Sequence, residues 1–224
     1  IARHDGTINA CTAVFAENAM AAANGIDERV ARGEDPGPLA GVPVAVKNLF
    51  DIAGEVTLAG ARLRKEFAPA SADATVVQRL RAAGAIVVAA TNMDEFAYGF
   101  TTENEHFGTT LNPRDTSRLA GGSSGGAAAA VAAGMAHLGI GSDTNGSIRV
   151  PASFTGIFGL KPTFGRLPRT GSVPFVASLD HVGPMARSVA DLALSYDVMQ
   201  GPDRGDPVCA DRPVEPVSPS LFET

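Results

Sequence analysis

Residues 121–147 read GGSSGGAAAAVAAGMAHLGIGSDTNGS. A glycine and serine loop, Gly121 to Gly126, opens into an alanine-rich helix expected to end around Gly134. The apolar run His137 to Gly141 then has the length of a buried strand, and it passes directly into a second Ser/Gly loop, Ser142 to Ser147. Ile148-Arg149-Val150-Pro151 allows a helix or turn to begin close to Ser147. Two polar loops therefore bracket one helix.

The flanking segments carry the same alternation of helix and strand. Upstream, Val42, Val44 and Val46 alternate with Pro43, Ala45 and Lys47, a period of two that ends at the Lys47-Asn48 pair. Asp73 is placed to cap a helix running through Leu80 to Ala83, with Val76, Val77 and Leu80 on one face and Gly84 as its stop; Ala85 to Ala90 then reads as a buried strand. Asn9 to about Arg32 fits helical pieces, broken by Gly-Glu-Asp-Pro-Gly-Pro at 33–38. Thr91 to Leu119, rich in Asn, Thr and Glu, predicts an irregular surface stretch with short helical turns. Near the end, Ser188 with Asp191 makes a capping-box pattern ahead of an apolar stripe of Val189, Leu192, Tyr196 and Met199. Helices alternating with β-branched strands place the chain in the α/β class.

Composition removes several functions. The chain has 224 residues, 45% hydrophobic and 19% charged, enough to bury one sizeable core. Its 18 basic and 24 acidic residues give a net charge of −6, the wrong sign for gripping phosphate backbones, so no nucleic-acid partner is expected. Cys11 and Cys209 are too few for a disulfide framework or a CxxC zinc cluster, which points to a reducing, cytoplasmic setting. The longest apolar run, Ala127 to Ala133, is far short of the roughly 20 residues that span a bilayer, and no membrane association is expected. A start at Ile1 and the Pro-rich polar stretch Asp211 to Pro219, followed by Phe222, Glu223 and Thr224, suggest a piece of a longer chain.

Three side chains stand out chemically. Of the three lysines, Lys47, Lys65 and Lys161, only Lys47 lies in an apolar strand. Desolvation disfavours its charged form, so it can act as a base; a strand-edge lysine whose ammonium reaches water is the alternative. Gly121 to Gly126 is not a nucleotide-binding P-loop, because no Gly-Lys-Ser/Thr closes it, but it offers the hydroxyls of Ser123 and Ser124 and has the general form of an anion site at a helix N-terminus. Gly146-Ser147 has the form of a nucleophile turn, with amides around Thr144 to Ser147 available to an oxyanion; an ordinary pair of caps would look the same. A Ser-His-Asp hydrolase is disfavoured although Asp180 precedes His181 and residues 122–126 satisfy G-x-S-x-G as a string, since no β-branched strand leads into Ser124. His4, His106 and His137 read as structural or solvated, with no metal-ligand spacing.

Together, the lysine strand Gly41 to Lys47, the stretch Ser123 to Ser147, and Gly156-Ile157-Phe158-Gly159-Leu160-Lys161-Pro162-Thr163 resemble the amidase signature family. The likeness runs from about Leu39 to about Leu194. It implies a mixed β-sheet core covered by helices, and residues 1–224 as the N-terminal portion of one such domain with the C-terminal half absent. It also implies a Ser-cisSer-Lys triad. Ser147 would be the nucleophile, Ser123 the bridging serine with a cis bond to Gly122, and Lys47 the base; the amides of Thr144, Asn145, Gly146 and Ser147 would form the oxyanion hole. Ser124 and Thr144 would support the loops by hydrogen bonding, and Asp143 and Arg149 would pair to hold the turn, a direct substrate role being the lesser reading.

Many family members have two glycines before the nucleophile and an aspartate after the lysine, where this chain has Asn145-Gly146 and Asn48. With these variants, Lys47 to Asp51 and Asp143 to Pro151 look most similar to AtzE-type amidohydrolases acting on small urea-like carboxamides such as carboxybiuret. The resemblance implies hydrolysis through a seryl acyl-enzyme with release of ammonia, without metal or cofactor, and is compatible with a homodimer or a small partner subunit. Thr91-Asn92-Met93-Asp94-Glu95-Phe96-Ala97 and Thr102-Glu103-Asn104 also resemble the glutaminase subunit of a tRNA-dependent amidotransferase, the second reading. A non-catalytic remnant is the third.

Overall fold

The computed structural model describes residues 1–222; Glu223 and Thr224, which follow the suggested connection at 211–219, lie outside them. The central sheet has six strands in the order β1-β3-β2-β8-β10-β9. These are β1 (Cys11–Val14), β2 (Pro43–Lys47), β3 (Ile86–Thr91), β8 (Leu138–Asp143), β9 (Phe158–Gly159) and β10 (His181–Ala186). Strands β3, β2 and β8 run parallel, while β1, β10 and β9 add antiparallel pairs at the two sides. The mixed sheet covered by helices is therefore as expected.

The alternation in β2 explains the layering. Val44 and Val46 enter the large core beside Val76, Val77 and Leu80 of α3 (Thr75–Ala82) and Met199 of α6 (Val189–Met199). Ala45, on the other face, meets Ala129 and Ala130 of α4 (Gly125–Ala132). Small residues on that face let the alanine helix lie close to the sheet. A Cβ on Gly139 would stand 3.1 Å from the Ala127 carbonyl oxygen, and one on Gly141 2.7 Å from Ser124 Oγ. Helix α5 (Arg149–Thr155) completes this layer, with Ile148 and Met185 packed against Ala127 and Ala128.

Several expectations need correction. Cys11–Val14 is an edge strand with an irregular register, and the helix before the 33–38 break is α2 (Ala16–Ala31), preceded by the short α1 (Asp5–Ile8). Asp73 does not cap α3: its carboxylate accepts from Ala53 N at 2.8 Å and pairs with Arg81 at 3.0 Å. The stretch 91–119 contains β4 (Glu103–Asn104), β5 (Gly108–Thr109), β6 (Leu111–Asn112) and β7 (Asp115–Leu119), and much of it is interior. Asn92, Asp94, Thr102, Asn104, Thr110 and Asn112 are buried because tertiary hydrogen bonds satisfy them; Asn104 Nδ2, for example, donates to Gly60 O and Met93 O, both at 2.8 Å. Ser188 caps α6 as expected, accepting from Asp191 N at 3.0 Å, but Val189 of the apolar stripe faces solvent.

Candidate active site

The C-terminal ends of β2 and β8 and the start of α4 meet at one place. Lys47 shares the face of Ala45, so its side chain emerges toward the helix that follows Ser123. It is fully buried, and its Nζ donates to Ser123 Oγ at 2.6 Å and to Ser142 Oγ at 2.9 Å. Burial lowers the Lys47 pKa from 10.5 to about 7, against the opposing pull of Asp94, Asp143 and Asp180. The alternative of a strand-edge lysine reaching water is thereby excluded.

The two Ser/Gly loops lie side by side. Ser124 N donates to Ser147 O at 3.1 Å, and Ser124 Oγ donates to Ser142 O at 3.2 Å while accepting from Ser142 N at 3.3 Å. The Gly122–Ser123 peptide bond is cis. Ser147, 4% exposed, follows Gly146, whose φ of +133° belongs to the region that glycine favours. Among the described residues no hydrogen bond joins the Ser123 and Ser147 hydroxyls.

Asp143 organises the turn beneath Ser147. Its Oδ1 accepts from Gly146 N at 2.7 Å and Arg149 Nη2 at 2.9 Å; its Oδ2 accepts from Ile148 N at 3.1 Å and Arg149 Nε at 3.0 Å. Burial would raise the pKa of this carboxyl, but the Arg149 guanidinium and the amides outweigh it and hold it below the usual range. Asp143 and Arg149 thus pair with each other. The same geometry corrects the oxyanion-hole expectation at Gly146, whose N–H is spent on Asp143, leaving the amides of Thr144, Asn145 and Ser147 as candidates. The Thr144 hydroxyl supports its loop by donating to Asp180. The helix N-terminus is likewise no free anion site: Gly125 N donates to Thr102 Oγ1 at 3.2 Å and Gly126 N to Asn92 O at 3.1 Å.

Sequence reasoning missed Ser142, Asp94, Thr102 and the role of Asp180 as acceptor for Thr144. Only tertiary contact reveals them, although the hydroxyl in Gly141-Ser142-Asp143, at the end of a strand parallel to β2, was a usable signal. His181 makes no pair with Asp180: its Nδ1 lies 2.6 Å from Leu179 O and its Nε2 3.3 Å from Lys161 Nζ. That geometry leaves no Ser-His-Asp arrangement there. Among the described residues no helix is long and apolar enough to cross a membrane.

Comparison with known proteins gives the family. The family description "Amidase" matches residues 1–223. The chain is 61% identical over 219 residues to AtzE, one of the subunits of 1-carboxybiuret hydrolase in Pseudomonas sp. (strain ADP), covering 98% of this chain and 48% of that protein. It is 52% identical over 211 residues to a glutamyl-tRNA(Gln) amidotransferase subunit of Anaeromyxobacter dehalogenans (strain 2CP-C), covering 94% and 43% respectively. Among solved structures, a chain from a vestigial protein complex bearing on the origins of an s-triazine catabolic enzyme superposes with a TM-score of 0.97 at 61% identity, over 99% of this chain and 48% of that one. The native peptide amidase of Stenotrophomonas maltophilia gives 0.89 at 37% identity, over 96% and 45%. The chain spans about half the length of the curated relatives it matches. With a buried lysine on a serine, a cis bond before that serine and a family match along almost its whole length, the chain belongs to the amidase signature family.

Proposed function

We propose that the protein carrying this chain hydrolyses the C–N bond of a small carboxamide or urea-like substrate of the carboxybiuret type, through a seryl acyl-enzyme, with release of ammonia. The observation that carries the reading is the 2.6 Å hydrogen bond between the fully buried Lys47 amine and Ser123, in a loop hydrogen-bonded to the backbone of Ser147.

In this mechanism neutral Lys47 takes the Ser123 proton as Ser123 takes that of Ser147, while Ser142 fixes the amine from its other side. Ser147 Oγ forms a bond to the amide carbon, and the carbonyl electron pair moves to oxygen. The amides of Thr144, Asn145 and Ser147 stabilise that oxyanion, each critical donor contributing about 3 kcal/mol. The C–N bond then breaks, and the leaving nitrogen takes its proton back through Ser123. Water enters, gives a proton to the same relay and attacks the ester carbon; the Ser147 C–O bond breaks and the serine is restored. Asp143 and Arg149 act by holding the turn, and Gly122 and Ser124 by holding the loop. A reducing, cytoplasmic setting, no cofactor, and assembly as a homodimer or with a small partner subunit belong to the same proposal.

A second reading, the glutaminase subunit of a tRNA-dependent amidotransferase, is favoured by the 52% identity to such subunits. Ammonia release from biuret-like, aryl and aliphatic amides and from glutamine separates the two. The first reading expects release from a urea-like amide without tRNA or an amidotransferase partner, and loss of about a thousandfold or more in Ser147→Ala. Activity confined to glutamine, appearing only with a partner and charged tRNA, would replace it with the second.

A further inference from the structure

Asp94 lies just beyond β3 and is 6% exposed. Both its oxygens accept from Thr102 N, at 3.1 and 3.0 Å. Two glycines close over it: a Cβ on Gly122 would stand 2.1 Å from Asp94 Oδ2, and one on Gly99 2.4 Å from Oδ1. Gly122 immediately precedes Ser123, which accepts the Lys47 N–H. At the other end of the same turn, Thr102 Oγ1 accepts from Gly125 N at 3.2 Å. Asp94 and the Thr102 that it holds therefore contact both ends of the segment carrying Ser123.

Three carboxylates act on the Lys47 amine, Asp94 most strongly, then Asp143 and Asp180. The Asp143 charge is met by Arg149, at 2.9 and 3.0 Å. Asp180 accepts from the Thr144 hydroxyl and from the amides of Phe175 and Val176. Asp94 accepts from main-chain amides and, among the described residues, from no side chain. Neither Asp94 nor Asp180 has a cation among these partners, and of the two Asp94 acts more strongly on the amine.

We infer that Asp94 is a positioning residue that seats the Ser123 turn against Lys47 and, as a carboxylate held by main-chain amides alone, helps set the pH at which that amine becomes a base. The inference rests on the reading of Lys47 as the base. It is tested by the pH dependence of kcat/KM in the protein carrying this chain, for wild type, Asp94→Asn and Asp94→Ser. The serine variant removes the same charge with a smaller side chain.

Removing a negative charge beside the amine makes its protonated form less favourable. The acid limb is therefore expected to move to lower pH by about one unit, while the plateau falls roughly tenfold as the turn loosens. Asp94→Glu keeps the charge and is expected to lower the plateau with the limb in place. A wild-type limb that both neutral variants leave unmoved overturns this inference alone. A wild-type limb that is absent, or that survives in Lys47→Ala, overturns the reading beneath it as well.

Discussion

Lys47 shows how one residue can oppose the fold and serve the chemistry. Lowering its pKa from 10.5 to about 7 corresponds to about 5 kcal/mol of preference against the charged form. Between pH 7 and 10.5 the unfolded chain binds the extra proton, so this residue makes stability rise with pH across that window and contributes its full penalty below about 7. In urea unfolding, wild type should gain stability relative to Lys47→Met as pH rises from 7 to 10; a constant difference would mean that the amine is not desolvated. Lys47 was legible in the sequence because a lysine among valines has few explanations. Ser142 and Asp94 were not, because their significance comes from contacts with segments distant in the chain, and Asp94 sits in a stretch polar enough to read as surface.

The strands β2, β3 and β8 were legible because each is short, apolar and interior, so period and composition agree. β1 was not, since Cys11–Val14 pairs on one side only and adjoins the alanines of α2. Polar residues in 91–119 misled for a related reason: asparagine and threonine satisfied by distant carbonyls have the same letters as solvated ones. The close approach of α4 to its surroundings gives an independent test of this packing. A Cβ on Gly126 would stand 2.4 Å from Ala10 O and 2.5 Å from Asn92 N, both main-chain atoms that cannot swing away. Gly126→Ala should therefore cost about 3 kcal/mol or more, or prevent folding. A urea midpoint close to wild type would contradict the described seat of α4.

Across the molecule, a sheet of mixed strands brings three loop ends together. β2 ends at Lys47, β8 ends in the turn to Ser147, and Ser123 lies in the loop that opens α4. The same arrangement recurs at a TM-score of 0.97 in a solved chain of which these residues cover 48%. The motif spacing made the three residues recognisable, whereas the diversion of the Gly146 amide to Asp143 required coordinates. The most direct measurement is the rate and site of covalent labelling by a fluorophosphonate as a function of pH, with the adduct located by peptide mass spectrometry. Labelling is predicted on Ser147, rising through about pH 7 as Lys47 loses its proton and collapsing in Lys47→Ala. An adduct on another serine, or an undiminished rate in Lys47→Ala, would contradict the account.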